Sequence, residues 1–337
     1  MTQSTAMTGA VTSDDLGRSQ EIVNAVGRAL TTRLVGQQRL TTALLVTLLA
    51  EGHVLVESVP GLAKTLAAST LAQSLAGSFS RIQCTPDLLP SDIIGTQVYD
   101  ARTAEFETRL GPVHANFVLL DEINRSSAKT QSAMLEAMQE RQTSIGGVVY
   151  ALPQPFMVLA TQNPIEEEGT YVLPQAQLDR FLVKVVLDYP TPDQEVEVLR
   201  RVERGVIGAK PEPVSAAASA EDLAFVQDVV RRVYVADSVK QYIVAIVGAT
   251  RDVARVLGAE QGAYVELGAS PRGAIAFLEV ARAIALLQGR DHVLPEDVRQ
   301  FAHEVLRHRL ILTFEAVADR VRPETIVDAV LGSVPTP

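Results

Sequence analysis

The chain has 337 residues, room for two domains each burying its own core, and its 47% hydrophobic content is that of an ordinary globular protein. A net charge of −10 with only 5% aromatic residues argues against a protein built to hold nucleic acid, which needs clustered Lys and Arg or stacking platforms. The single cysteine, Cys84, excludes an internal disulfide, no His/Cys cluster has zinc spacing, and the expected setting is reducing and cytoplasmic.

Residues 1–14 are polar, lack the basic and apolar regions of a signal peptide, and read as a disordered leader. Ser13, Asp14 and Asp15 cap a predicted helix that runs through Val26 and Leu30. Val35-Gly36-Gln37 interrupts the helical pattern, and a second helix is expected from about Gln38 to Glu51. Residues 54–56, 117–120 and 156–160 are apolar runs of the kind found in buried parallel strands, with a strongly helical stretch from Ser132 to Arg141 between the last two. Strand alternating with helix predicts a parallel sheet covered on both faces.

Two interruptions separate these elements. Residues 85–116 carry Pro86, Pro90, Gly95, Gly111 and Pro112 around two short alternating segments, 96–100 and 105–109, and read as an inserted hairpin. Residues 142–153 form a second hairpin pattern around Gly146-Gly147. Surface decoration and a substrate-contacting role both fit these hairpins. After Asp188 the composition shifts: Pro190, Pro192, Pro211 and Pro213 with an Ala/Ser run at 215–220 read as a linker. Beyond it, helical patterns fit 223–233, 238–257, 271–287 and 295–308. The longest charge-free stretch, between Arg141 and Glu166, is broken by Gly146, Gly147, Pro153, Pro155 and Pro164, which removes a membrane-spanning reading.

The chemistry starts at the end of the first apolar run. Val59-Pro60-Gly61-Leu62-Ala63-Lys64-Thr65-Leu66 joins a strand to an alanine-rich helix. It is a phosphate-binding loop in which Ser58 and Ala63 stand where the usual pattern has glycine. A lysine to reach the β- and γ-phosphates, a threonine hydroxyl for Mg²⁺ and helix N-terminal amides for the nucleotide remain. The second run ends in Asp121-Glu122, two carboxylates at a sheet edge: Asp121 to hold Mg²⁺ through water, Glu122 to orient and deprotonate an attacking water. In isolation such a pair merely stops a strand; after a Lys-Thr loop it completes an ATP site. The third run ends at Thr161-Gln162-Asn163-Pro164, which brings the Asn163 amide to the tip of a neighbouring strand. Arg180, in Asp179-Arg180-Phe181, reads either as half of a surface ion pair or as an arginine finger for a neighbouring subunit's nucleotide. Arg272 follows Ser270-Pro271 at a helix start, where a cation is disfavoured unless an anion is near. This favours phosphate sensing over a plain surface arginine.

Taken in order, Val35-Gly36-Gln37, the loop from Glu57 to Thr65, Leu120-Asp121-Glu122-Ile123-Asn124-Arg125, Ala160 to Pro164, Leu178 to Phe181 and Ser270 to Gly273 resemble the MoxR family of AAA+ ATPases over roughly residues 30–310. The resemblance implies an α/β fold: an AAA+ P-loop αβα sandwich with a parallel sheet at 15–190, followed by a linker and a C-terminal all-helical lid domain at 191–337. It implies a helix-2 insert at about 85–116 and a pre-sensor hairpin at about 142–155. By the same resemblance Asn163 is sensor 1, Arg180 the finger and Arg272 sensor 2, while Val35 and Gly36 line the adenine pocket. ATP and Mg²⁺ as cofactors, a homo-oligomeric ring with hexameric stoichiometry, a von Willebrand factor A domain partner and protein clients follow as further implications.

Ser58 and Ala63 leave rate and affinity open. Alanine tolerates positive φ poorly, so binding is expected to weaken if Ala63 must adopt it. Beside the remodelling ATPase stand two other readings: a nucleotide-gated scaffold that seldom hydrolyses ATP, and a nucleic-acid motor, which the acidic balance disfavours. Glu166-Glu167-Glu168 reads as a partner-facing acidic patch or as a solvated loop.

Overall fold

The structure, a computed structural model, describes residues 9–164, 171–208, 212–258 and 262–337. Glu166, Glu167, Glu168 and most of the predicted leader lie outside the described residues. The chain divides into two compact units, one of Ala25–Ala220 and the other of Glu221–Pro337 with the N-terminal residues up to Asn24.

The first unit opens with helix α1 (Ser13–Arg33), which belongs to both units, and α2 (Gln38–Leu49). It continues through β1 (Val54–Glu57), α3 (Lys64–Ser74), β2 (Phe79–Gln83), α4 (Pro90–Ile94), β3 (Gly95–Asp100), β4 (Glu105–Leu110) and β5 (Phe117–Asp121). After these come α5 (Ala128–Glu140), β6 (Gln142–Ile145), β7 (Val148–Ala151), β8 (Met157–Gln162), α6 (Gln175–Leu178), β9 (Val183–Val186) and α7 (Pro192–Glu203). Five strands make one parallel sheet in the order β2-β5-β8-β1-β9. The central strands are buried along their length because helices cover both faces. On one face α5 lays Met134, Leu135 and Met138 in a core with Leu120, Val158 and Phe181. Each such side chain contributes about 1.5–3 kcal/mol relative to exposure.

β2 is absent from the sequence reading. It is an edge strand with a single buried residue, Ile82, so the apolar run that betrays a central strand is missing. Register is nonetheless fixed: Gln83 lies opposite Asp121, and Glu57 opposite Gln162. The carboxyl ends of β2, β5, β8 and β1 therefore finish along one edge. From β1 the chain passes to β2 on one side and later to β9 on the other, so β1 sits where the strand order reverses. In parallel sheets that position makes a crevice for ligands.

The two hairpins are β3–β4 and β6–β7. Gly146 (φ 58°) and Gly147 (φ 82°) form the second turn, the two consecutive positive φ values that a tight two-residue turn demands. At the floor of the sheet, buried His53 accepts the Val158 N–H at Nδ1 (3.0 Å) and donates from Nε2 to the Met138 carbonyl (3.2 Å). Burial lowers its pKa to about 4, leaving a neutral ring that ties β1 to α5 and β8. The Pro-rich zone after Asp188 is not all linker. Thr191 and Gln194 form a reciprocal capping box, Pro192 starts α7, and this helix belongs to the sheet-containing unit.

The second unit is helical: α8 (Ala220–Arg232), α9 (Asp237–Arg251), α10 (Val253–Leu257), α11 (Pro271–Leu287), α12 (Pro295–Gln300), α13 (Ala302–Leu306), α14 (Phe314–Ala318) and α15 (Pro323–Ser333). A short antiparallel pair, β10 (Val265–Leu267) with β11 (Ile311–Leu312), accompanies them. The pattern at 238–257 is broken at Asp252, which leaves helical geometry (φ −134°, ψ 58°) and pairs with Arg255 at 2.9 Å. The pattern at 295–308 is broken at Phe301 (φ −116°), a residue with no exposed surface. Packing of that ring overrides local helical preference. The start of α1 is tied to α8 by Arg18–Asp222 (3.0 Å) and Asp15–Arg232 (3.1 Å). No helix among the described residues is long and apolar enough to cross a membrane.

Candidate nucleotide site

The loop that leaves β1 turns at Gly61 (φ 87°) and again at Ala63, which sits in the left-handed region (φ 55°, ψ 21°) as the residue before α3. Ala63 has no side chain with which to cap α3, so the first amides of that helix face the cleft as anion donors. Ser58 is not strained. Its buried hydroxyl donates to the Val59 carbonyl (3.1 Å) and accepts from Lys64 Nζ (2.8 Å). Lys64 thus folds back over its own loop, reaching the Val59 carbonyl at 3.3 Å as well. Burial lowers its pKa, against the opposing pull of the Asp121 and Glu122 carboxylates.

Across the cleft β5 delivers the two carboxylates. Asp121 Oδ1 accepts from the Thr161 hydroxyl (2.9 Å), and Oδ2 accepts from Arg81 Nη2 (2.6 Å) and Nε (3.2 Å). The Thr161 hydroxyl also accepts the Glu122 N–H (2.9 Å). Glu122 is itself left-handed (φ 58°, ψ 54°), a conformation that costs a non-glycine residue about 1–2 kcal/mol. Its Oε2 is held by Gln83 Nε2 and by Arg125 Nε, each at 3.2 Å. Residues Pro60 to Leu66, Arg81, Gln83, Asp121 and Glu122 enclose a cleft of about 450 Å³, within the range of small-molecule sites.

Asn163 is buried one residue beyond β8, next to the Glu57–Gln162 pair from which the loop departs. Val35 and Gly36 lie between α1 and α2, where Gly36 (φ 71°) backs onto the Gln194 side chain of α7. Arg180 stands apart. It lines a second cleft, of about 470 Å³, with Ser132, Glu136, Glu140 and Gln177. Its Nη1 donates to the Leu135 carbonyl at 2.6 Å, while its buried Nε has no hydrogen-bond partner among the described residues. Arg272 is exposed in the helical unit, at the start of α11, where Ser270 Oγ accepts its N–H at 3.1 Å. Sequence reasoning missed Arg81, Gln83 and Thr161. The first two alternate on a strand that went unrecognised, and the third was visible only as part of a strand end.

The donor set fits a magnesium ion. Thr65 and Asp121 offer hard oxygen ligands, one from each wall of the cleft. No group of three or more His, Cys, Asp or Glu among the described residues would cage a metal. Two hard oxygens meet the demand of Mg²⁺, which keeps water and binds through one or two protein oxygens plus phosphate. Cys84, by contrast, is buried and its thiol pushed up to about 12, which makes it inert.

A parallel sheet with a Lys-Thr loop at its reversal point, followed by a helical region, defines an ATPase architecture of the AAA class. Residues 53–183 match the ATPase family associated with various cellular activities (AAA), and residues 259–330 match the AAA lid domain. "Chaperone MoxR1" of Mycobacterium tuberculosis is 48% identical over 304 residues, covering 90% of this chain and 79% of that protein. "Uncharacterized protein YeaC" of Bacillus subtilis is 46% identical over 96% of this chain and 95% of its own. A crystal structure from Cytophaga hutchinsonii superimposes with a TM-score of 0.89 at 42% identity, covering 96% of this chain and 97% of that one. On this likeness the chain belongs to the MoxR family of AAA+ ATPases.

Proposed function

We propose that the chain binds ATP with Mg²⁺ in the cleft between its phosphate loop and β5, and hydrolyses it to ADP and phosphate. The energy is spent as a chaperone-like remodelling or maturation factor for client proteins. The observation that carries this reading is the meeting of Lys64 and Thr65 with Asp121 and Glu122 around one cleft of about 450 Å³. In it, Lys64 reaches the β- and γ-phosphates, and the first amides of α3 receive the same phosphates. Bound Mg²⁺ supplies charge neutralisation at the phosphates, with Thr65 and Asp121 as its protein oxygens. Glu122 orients the attacking water and takes its proton, assisted by the Asn163 amide. Val35 and Gly36 receive the adenine, and Arg272 serves as a phosphate sensor.

Arg180 lines a different cleft from the phosphate loop, which supports its acting on a neighbouring chain's nucleotide and hence a homo-oligomeric ring, taken as a hexamer. The name of the Mycobacterium tuberculosis relative supports the chaperone role. A von Willebrand factor A domain protein is the proposed partner, and the cytoplasm the proposed setting.

Steady-state ATPase assays test the reading. Glu122→Gln is expected to lower turnover at least about a hundredfold while ATP still binds. A wild type no faster than this variant would leave a nucleotide-gated scaffold instead. Arg180→Ala is expected to lose about a thousandfold in turnover with binding intact. Mixing it with Glu122→Gln protein restores activity when sites are shared between chains, and the absence of any rescue would refute the shared site.

A further inference from the structure

Arg81 has no part in the scheme above, yet it makes the shortest ion pair in the cleft. From β2 it places Nη2 at 2.6 Å and Nε at 3.2 Å from the same oxygen, Asp121 Oδ2. The other oxygen of that carboxylate is turned toward Thr161, which is fully buried. Oδ2 is therefore the atom that Asp121 presents to the cleft, and it is the atom a hydrated cation would engage. A guanidinium lying on it and a divalent cation approaching it carry the same sign of charge and want the same lone pairs. The two occupancies exclude each other.

The exposures allow the exchange. The Asp121 side chain is 13% exposed and fixed by Thr161, whereas that of Arg81 is 49% exposed and reaches in from the solvent side. The acid is built in and the base is free to leave. Arg81 also has somewhere to go: its Nη2 already donates to Gln83 Oε1 at 3.2 Å, on its own strand. Removing the guanidinium in the absence of metal would leave Asp121 without its cation, facing the phosphates of a nucleotide, while Glu122 keeps Arg125 at 3.2 Å.

We propose that Arg81 is a positioning residue that neutralises Asp121 while the site holds no metal and yields Oδ2 to Mg²⁺ on loading, so that it sets how strongly nucleotide binding depends on the metal. This rests on the cleft being the nucleotide site. It differs from a direct phosphate contact, in which the arginine would strengthen binding with and without metal alike.

The test measures the affinity of the full-length protein for ATPγS by calorimetry, in EDTA and in saturating Mg²⁺, for wild type, Arg81→Met, Arg81→Lys and Lys64→Ala. For Arg81→Met the affinity in EDTA is expected to fall about fivefold, a loss between that of an exposed ion pair and that of a buried charge-assisted bond. In Mg²⁺ it stays within about twofold of wild type, which also shows that the variant is folded. The Mg²⁺ concentration for half-maximal binding at fixed ATPγS shifts downward, because a competitor has gone. Arg81→Lys, which keeps the charge but not the two-nitrogen grip, falls between. Equal losses in both conditions would overturn the proposal in favour of a phosphate contact, and no change in either would reduce the bridge to a surface pair. A wild type that binds no ATPγS in either condition, or a Lys64→Ala protein that binds as wild type does, would overturn the nucleotide-site reading and this proposal with it. Where those two controls behave, the Arg81 results bear on Arg81 alone.

Discussion

Replacing Ala63 by glycine separates the strain in the phosphate loop from its affinity. Ala63 sits at φ 55°, ψ 21°, where an L-residue with a Cβ loses about 1–2 kcal/mol. Glycine removes that loss but gives the unfolded chain more freedom, worth about 0.5–1 kcal/mol against folding. The net expectation is a stabilisation of about 0–1.5 kcal/mol, read as a small rise in urea midpoint at constant slope. Nucleotide affinity is a different matter. The left-handed turn at Ala63 is part of the loop's folded geometry (φ 55°, ψ 21°), so its cost is borne in folding and does not recur on binding. ATPγS affinity of Ala63→Gly is therefore expected within about twofold of wild type. This changes the expectation drawn from the sequence, in which alanine at this position weakens binding. A tightening of about tenfold on Ala63→Gly, with unfolding unchanged, would refute the reasoning. It would mean that the free loop holds Ala63 in another conformation and that binding forces the turn.

Two further substitutions probe the sheet edge and the sheet floor. Thr161→Val keeps the shape but removes the donor to Asp121 and the acceptor for the Glu122 N–H. It is expected to cost about 2 kcal/mol of stability by denaturant unfolding and to lower turnover more than ATPγS affinity; full activity would mean the hydroxyl is dispensable. His53 is held neutral when folded, with its pKa lowered from 6.5 to about 4. The unfolded chain therefore takes up the proton first, and stability from this residue is full above pH 6.5 and lost as pH falls from 6.5 toward 4. Over that window the loss reaches about 3 kcal/mol. His53→Gln is expected to flatten the acid side of the stability profile by that amount, and a profile parallel to wild type would contradict the assignment.

The parts of the fold legible in the sequence are those whose burial is symmetric. β1, β5 and β8 read as unbroken apolar runs because helices cover both of their faces, and Ser270 with Pro271 announces α11 through a cap and a favoured first residue. β2 hid because it lies at the sheet edge and needs only Ile82 buried. The break at Phe301 was invisible because burial of its ring, rather than helix propensity, ends that segment, and no local pattern marks the break at Asp252. α7 was legible in the sequence: Thr191, Pro192 and Gln194 spell a capping box with proline in the first turn, although the surrounding prolines give the zone the composition of a linker.

The same division runs through the site. Lys64, Thr65, Asp121 and Glu122 announce themselves because each follows an apolar run, so their chemistry is written next to the strand that positions it. Arg81 and Gln83 act only through the register that sets Gln83 opposite Asp121, a pairing across many residues of intervening chain that no local pattern encodes. The two replaced glycines divide likewise. Ala63 occupies a backbone position that favours glycine and pays strain for it. Ser58 does not; its φ is not in the left-handed region, and its hydroxyl gives Lys64 a partner at 2.8 Å. At Ser58, then, the departure from the usual loop adds an internal hydrogen bond to the lysine that glycine could not make. A lysine ammonium has three N–H donors, so the serine hydroxyl fixes where Lys64 points and leaves donors for a phosphate.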